Sequence, residues 1–173
     1  GTVPHALIAS FGGDTLSAVQ AFVRNIPDAT RLIPLVDFNN DSVATALELA
    51  RALGDRLWGV RLDTSESMVD KSLAGDTSRE KLTGVNARLV HNVRNALDAE
   101  GFKDVKIVVS GGFNVEKIQS FMSENVPVDA FGVGSSLFKE SFDFKADIVL
   151  LEGEPAAKAG RQHKPNDRFE RVV

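Results

Sequence analysis

Five short apolar runs, the first four each followed by a segment with apolar residues at helical spacing, set the tightest limit on what this chain can fold into. The runs cover residues 5–9, 32–36, 57–62, 105–109 and 130–133, and they are near-continuously apolar rather than alternating. A strand apolar on both faces must be buried on both, and a helix between strands is the connection that parallel pairing requires. The chain therefore reads as α/β with a parallel sheet, either open and doubly wound or part of a closed barrel. A complete eight-stranded barrel takes roughly 250 residues. With five units in 173 residues, the expected fold is a partial (β/α) barrel or an open five-stranded sheet.

The helical segments carry their own punctuation. Leu16, Val19 and Val23 share one face after the first run. Asp41 is a good N-cap for a helix with Val43, Ala46, Leu47 and Ala50 inward. A long helix is expected to carry Leu82, Val85, Leu89, Val93, Ala96 and Leu97 and to stop at Gly101. Asn114 caps a last helix whose Val115, Ile118 and Met122 are expected to face the core. Trp58 and the phenylalanines, Phe113 and Phe138 among them, read best as core residues. From Phe142 the pattern changes. Residues 144–151 and 156–159 read as strands hinged by Glu152-Gly153-Glu154-Pro155, a turn sequence. Residues 161–171 read as a polar, basic surface arm with a turn at Pro165-Asn166-Asp167. The organisation expected is a partial α/β barrel over 1–141 and a C-terminal β-hairpin with its arm over 142–173.

Composition excludes several classes of function. A net charge of −4 and a pI near 5.4 offer no basic surface to nucleic acid or an anionic membrane. The absence of cysteine removes disulfides, thiol nucleophiles and cysteine-based zinc sites. Three scattered histidines do not suggest a metal site. No apolar run reaches the roughly 20 residues that cross a bilayer. The N-terminus lacks the charged and apolar regions of a signal peptide and has no initiator methionine. The expectation is a cytoplasmic parent protein within which this chain begins.

In parallel α/β folds the active site lies at the carboxyl ends of the strands, and polar residues gather there. The second run ends in Asp37, the third in Arg61 and Asp63, the fourth in Ser110-Gly111-Gly112, and the fifth in Gly132-Val133-Gly134-Ser135-Ser136. The glycines would let main-chain N–H groups cradle a phosphate, or they could simply make tight strand-to-helix turns. Arg61 and Asp63 fall on one side of a strand. The arginine could hold a phosphate or carboxylate through paired hydrogen bonds, and the aspartate could accept ribose hydroxyls or help coordinate magnesium. A plain structural Arg61–Asp63 ion pair explains the spacing equally well. His5 heads the first run and could be catalytic or packed, whereas His91 and His163 read as a helix-surface and a solvated residue.

Taken together, Gly1-Thr2-Val3-Pro4-His5-Ala6-Leu7, Arg61-Leu62-Asp63-Thr64-Ser65, Val109-Ser110-Gly111-Gly112 and Asp129-Ala130-Phe131-Gly132-Val133-Gly134-Ser135-Ser136-Leu137 resemble the ordered signature of nicotinate phosphoribosyltransferases. Ala146-Asp147-Ile148-Val149 and Ala157-Lys158-Ala159-Gly160-Arg161 resemble that family's segment after the barrel. The resemblance implies an irregular, type II phosphoribosyltransferase-like α/β barrel with a preceding N-terminal domain, which is expected to lie outside this sequence. It implies phosphate binding at Gly111, Gly112, Gly134 and Ser135, with Ser110 and Gly132 beside them, and places Arg61 and Asp63 on the ribose and phosphate side. It further implies that His5 is the histidine whose phosphorylation couples ATP hydrolysis to synthesis. Where many members continue with Ser-Gly-Asp, this chain has Thr64-Ser65-Glu66.

The expected reaction joins nicotinate to phosphoribosyl pyrophosphate, giving nicotinate mononucleotide and pyrophosphate in NAD biosynthesis. Magnesium accompanies the pyrophosphate, ATP is a co-substrate, and a homo-oligomer is the expected assembly. Asp63 and Asp37 are the candidates for holding ribose hydroxyls or metal-bound water. The alternatives are a sister enzyme using nicotinamide or quinolinate, or a non-catalytic phosphate-binding fragment. An aldolase or isomerase is disfavoured because no strand ends in lysine.

Overall fold

The computed structural model describes residues 2–26, 31–76, 81–137 and 146–165. Five parallel strands, β1 (Thr2–Val3), β2 (Ile33–Pro34), β3 (Gly59–Leu62), β4 (Lys106–Val109) and β5 (Ala130–Phe131), lie side by side in chain order. β1 pairs with β2, and β3 with β4 and β4 with β5. Single parallel bridges at Leu32–Leu57 and Leu35–Arg61 carry the ladder from β2 to β3, reinforced by Val36 N–H donating to the Arg61 carbonyl at 3.2 Å. Among the described residues no pairing joins β5 back to β1, so the sheet does not close.

The helices are α1 (His5–Ser10), α2 (Thr15–Asn25), α3 (Ser42–Leu53), α4 (Ala87–Ala99) and α5 (Val115–Ser123). Four of them start on side-chain caps: Asp14, Asp41, Asn86 and Asn114 each accept from a backbone N–H three residues on, satisfying donors a helix start leaves open. α4 buries Leu89, Val90, Val93 and Leu97 completely. Its Arg94 donates to the carbonyls of Phe102 and Val105 at 2.7 and 2.6 Å, which fixes the helix end against the entry to β4. Asp70, fully buried, accepts from the Ser42 N–H and hydroxyl and from the Ser72 N–H, tying the polar loop after β3 to the start of α3.

Several expectations are corrected here. Residues 5–10 form α1, not a strand: Pro4 supplies the N-cap backbone, and its carbonyl accepts from Leu7 and Ile8. A six-residue apolar segment carries too little period to separate the two states. Leu82 and Val85 precede α4, because Asn86 caps the helix behind them. On α5 Ile118 packs against the core as expected, but the buried residue is Phe121, at 5% exposure, while Val115 and Met122 are each 66% exposed. Trp58 is half-buried, with the Arg31 guanidinium 5.0 Å above its ring.

The C-terminal hairpin forms, but tightly: β6 (Leu150–Leu151) pairs antiparallel with β7 (Glu154–Pro155) about Glu152-Gly153. Residues 156–159 are not strand. The expected start of that hairpin at 142–145, Phe138, and the arm beyond residue 165 lie outside the described residues. No helix among the described residues is long and apolar enough to cross a membrane.

Candidate active site

The parallel order brings the carboxyl ends of the strands to one edge, where a cleft of about 830 Å³ is lined by His5, Arg61, Asp63, Ser110, Gly111, Gly112, Gly132 and Gly134. A smaller pocket of about 290 Å³ shares His5, Arg61 and Asp63 with it. The residues singled out in sequence thus meet in space with two qualifications. Asp37 lies behind His5 at 1% exposure, and Ser135 begins the 3-10 turn Ser135–Leu137 beside the cleft. A shallow hollow of about 990 Å³ against α3, lined by Asp41, Glu48 and Arg51 among others, contains none of the strand-end groups.

One half of the cleft is built on β3 and β4. Arg61 Nε donates to Ser110 Oγ at 2.8 Å, and Ser110 Oγ donates to Asp63 Oδ1 at 2.8 Å. The direct Arg61–Asp63 ion pair is therefore replaced by a relay through a hydroxyl. Using Nε alone for this bond leaves the two terminal guanidinium nitrogens for an anion in the cleft.

The other half is a charge chain. His5 Nε2 lies 2.9 Å from Asp37 Oδ1, and the second carboxylate oxygen meets the Lys158 ammonium. Lys158 Nζ also donates to the Asp63 carbonyl at 2.8 Å. Burial pushes the Asp37 carboxyl up, but the hydrogen bond from His5 and the Lys158 charge outweigh it and hold its pKa below the usual 3.8. A carboxylate can only accept, so Nε2 is the donor in this bond. Asp37 is buried at 1% exposure, with one oxygen on His5 and the other on Lys158.

The glycines separate by cause. Gly111 and Gly112 have φ of +85° and +69°, a region that disfavours side chains, so their turn geometry alone requires them. A Cβ on Gly132 would sit 3.1 Å from Ser110 Cβ. A Cβ on Gly134 would meet nothing within 4 Å among the described residues, so no described neighbour demands a glycine there. Behind the first turn, Lys117 Nζ lies 4.4 Å above the Phe113 ring and 3.4 Å from the Gly111 carbonyl. Burial lowers its pKa, against the opposing charge of Glu66.

Sequence reasoning missed four charged residues of the cleft. Lys158 and Arg161 arrive from the segment after the hairpin, Asp147 from the segment before it, and Glu66 from the loop after β3. Arg161 Nε stands 3.4 Å from Asp147 Oδ2. The only sequence signal for Lys158 and Arg161 was their place in the Ala157–Arg161 motif. His91 and His163 are exposed, as expected. Among the described residues no three acidic or histidine side chains gather closely enough to hold a metal ion.

This is an α/β protein with parallel strands whose polar groups meet at the strand ends. The chain is similar to part of the nicotinate phosphoribosyltransferases. It is 30% identical over 164 residues to nicotinate phosphoribosyltransferase pncB2 of two Mycobacterium tuberculosis strains, covering 91% of this chain and 31% of theirs. The chain thus spans about a third of the length of the curated relatives it matches. Among solved structures, nicotinate-nucleotide pyrophosphorylase from Pyrococcus furiosus superposes with a TM-score of 0.63 at 38% identity, over 94% of this chain and 37% of that one. Nicotinate phosphoribosyltransferase from Porphyromonas gingivalis, at 15% identity and a TM-score of 0.57 over 81% of this chain and 33% of that one, shares the fold. No family model matches the chain.

Proposed function

We propose that this chain is the phosphoribosyl-binding part of a nicotinate phosphoribosyltransferase and that its five strands are a sector of an irregular (β/α) barrel. The strand order supports the second point. A doubly wound sheet reverses direction at a switch point, whereas here every successive strand adds on the same side, as in a barrel.

The observation that carries the functional reading is the convergence of Arg61, Asp63, Ser110 and both glycine turns on one cleft, in a chain with the similarities above. In the reaction the pyridine nitrogen lone pair of nicotinate forms a bond to the anomeric carbon of phosphoribosyl pyrophosphate. The carbon–oxygen bond to pyrophosphate breaks, and its electron pair leaves with the pyrophosphate. No proton need move, so the protein's work is alignment of the two reactants and stabilisation of charge. The glycine turns would hold the 5′-phosphate through main-chain N–H groups, and the free guanidinium nitrogens of Arg61 a phosphate oxygen. Asp63 would use its second carboxylate oxygen on a ribose hydroxyl or a metal-bound water, where developing positive charge on the ring strengthens the contact. Magnesium fits this cleft as an ion carried in by the pyrophosphate, since it commonly keeps its waters and takes one or two carboxylates. When bound, it would neutralise the leaving group. ATP coupling through His5 belongs to the same proposal, as does a homo-oligomeric, cytoplasmic parent.

The test is to supply the protein with phosphoribosyl pyrophosphate, magnesium and nicotinate, nicotinamide or quinolinate, each with and without ATP, and to quantify mononucleotide and pyrophosphate. Equimolar products from nicotinate are expected. Product from nicotinamide or quinolinate alone would transfer the reading to a sister enzyme.

A further inference from the structure

Lys158 belongs to no strand end and lies 121 residues from Asp37, yet it is only 8% exposed. A buried ammonium persists only where its charge and donors are satisfied. Its two described partners are the Asp37 carboxylate and the Asp63 carbonyl, one from each half of the cleft. The chain beside it is pinned as well, with Ala159 N–H donating to the Phe38 carbonyl at 2.9 Å. The segment after the hairpin is thus fastened to the floor of the site through one side chain.

We propose that Lys158 is a positioning residue: it balances the Asp37 carboxylate, so that Asp37 holds the His5 ring by Nε2–H and leaves Nδ1 to the cleft. With one oxygen of Asp37 matched by an ammonium, the other needs only a neutral donor. Without Lys158, the buried carboxylate would draw its sole counter-charge from the imidazole, and Nδ1 would carry a proton and lose its lone pair. Besides Asp37 and Lys158, the charged groups around His5 are Arg61, Asp63 and Asp147. Arg61 and Asp63 are engaged with Ser110, and Asp147 with Arg161, which leaves Lys158 as the group matched to Asp37. The same ammonium, through the Asp63 carbonyl, sets the His5 half of the cleft against the Arg61–Ser110–Asp63 half.

The consequence for turnover rests on the function proposed above; the geometry does not. The experiment therefore has two arms, applied to the unaltered protein, Lys158→Met and Lys158→Arg. The first records the ¹⁵N resonances of the His5 ring at neutral pH. The unaltered protein and Lys158→Arg should show one protonated and one bare nitrogen, and Lys158→Met two protonated ones. The second measures mononucleotide formation with and without ATP: Lys158→Met should lose ATP stimulation at least tenfold, and Lys158→Arg should retain most of it. A folded Lys158→Met with the unaltered ring pattern overturns the proposal, as does a folded Lys158→Arg that behaves like Lys158→Met. If Lys158→Met does not fold, Lys158→Gln takes its place. Failure of both to fold beside a folded Lys158→Arg marks Lys158 as structural only and also overturns it. If no protein makes mononucleotide but the ring patterns follow expectation, the proposed function fails and the role of Lys158 stands.

Discussion

Gly112 and Gly134 separate what a turn needs from what a ligand needs. Gly112 sits at φ +69°, so Gly112→Ala should cost about 1–3 kcal/mol of backbone strain, read as a lower urea midpoint. Gly134 has open space at its missing Cβ. Gly134→Ala should change stability by less than about 0.5 kcal/mol yet weaken nicotinate mononucleotide binding roughly tenfold, about 1.4 kcal/mol, by calorimetry. Equal binding by Gly134→Ala would mean that no phosphate approaches there. Asp63, joined to Arg61 through Ser110, is where turnover is most exposed: Asp63→Ala should lower kcat about 10²–10³-fold with a thermal midpoint close to the unaltered protein's. Asp37 answers to pH. Its folded pKa lies below 3.8, so its contribution is fully present above that value and is lost as pH falls through the lower folded value. The urea midpoint should therefore drop below about pH 3.8, and the drop should shrink in Asp37→Asn. At this scale the strand-end residues were legible because parallel sheets present their carboxyl ends together. Lys158 was not, because no period or cap marks a side chain that returns to the site from 121 residues away.

Among the elements, α4 carries the clearest periodic signal and the most complete burial. Leu97 is fully buried on it, so Leu97→Ala should cost about 2–5 kcal/mol in chemical denaturation. A smaller loss would mean that the helix end relaxes into the space. α3 and α5 announced their starts through Asp41 and Asn114, whose side chains accept from Ala44 and Lys117 N–H. What failed was phase and length. α5 turns Phe121 inward rather than Met122, because the aromatic cluster with Phe113 at 5.0 Å decides which face packs, and that contact is tertiary. α1 is too short for any period to show, and it matters more than its length suggests, since its first residue is His5.

For the whole molecule, the order of the strands is informative even where the sheet stays open. Each unit advances in one direction, so the helices cover one face and the polar strand ends share one edge. Local patterns do not encode the direction of advance, so the sequence alone is compatible with both a doubly wound sheet and a barrel sector. That edge is also lined by a segment distant in sequence, anchored at Lys158 and carrying Arg161, so residues far apart in the chain contribute to one cleft. Phosphate binding at the strand ends is tested most directly by titrating nicotinate mononucleotide into the ¹⁵N-labelled protein and following the backbone amides. Saturable shifts are expected at Gly111, Gly112, Gly132 and Gly134, with inorganic phosphate reproducing part of the pattern. Saturable shifts elsewhere, for instance in the hollow beside Glu48 and Arg51 on α3, with those glycines unmoved, would contradict it.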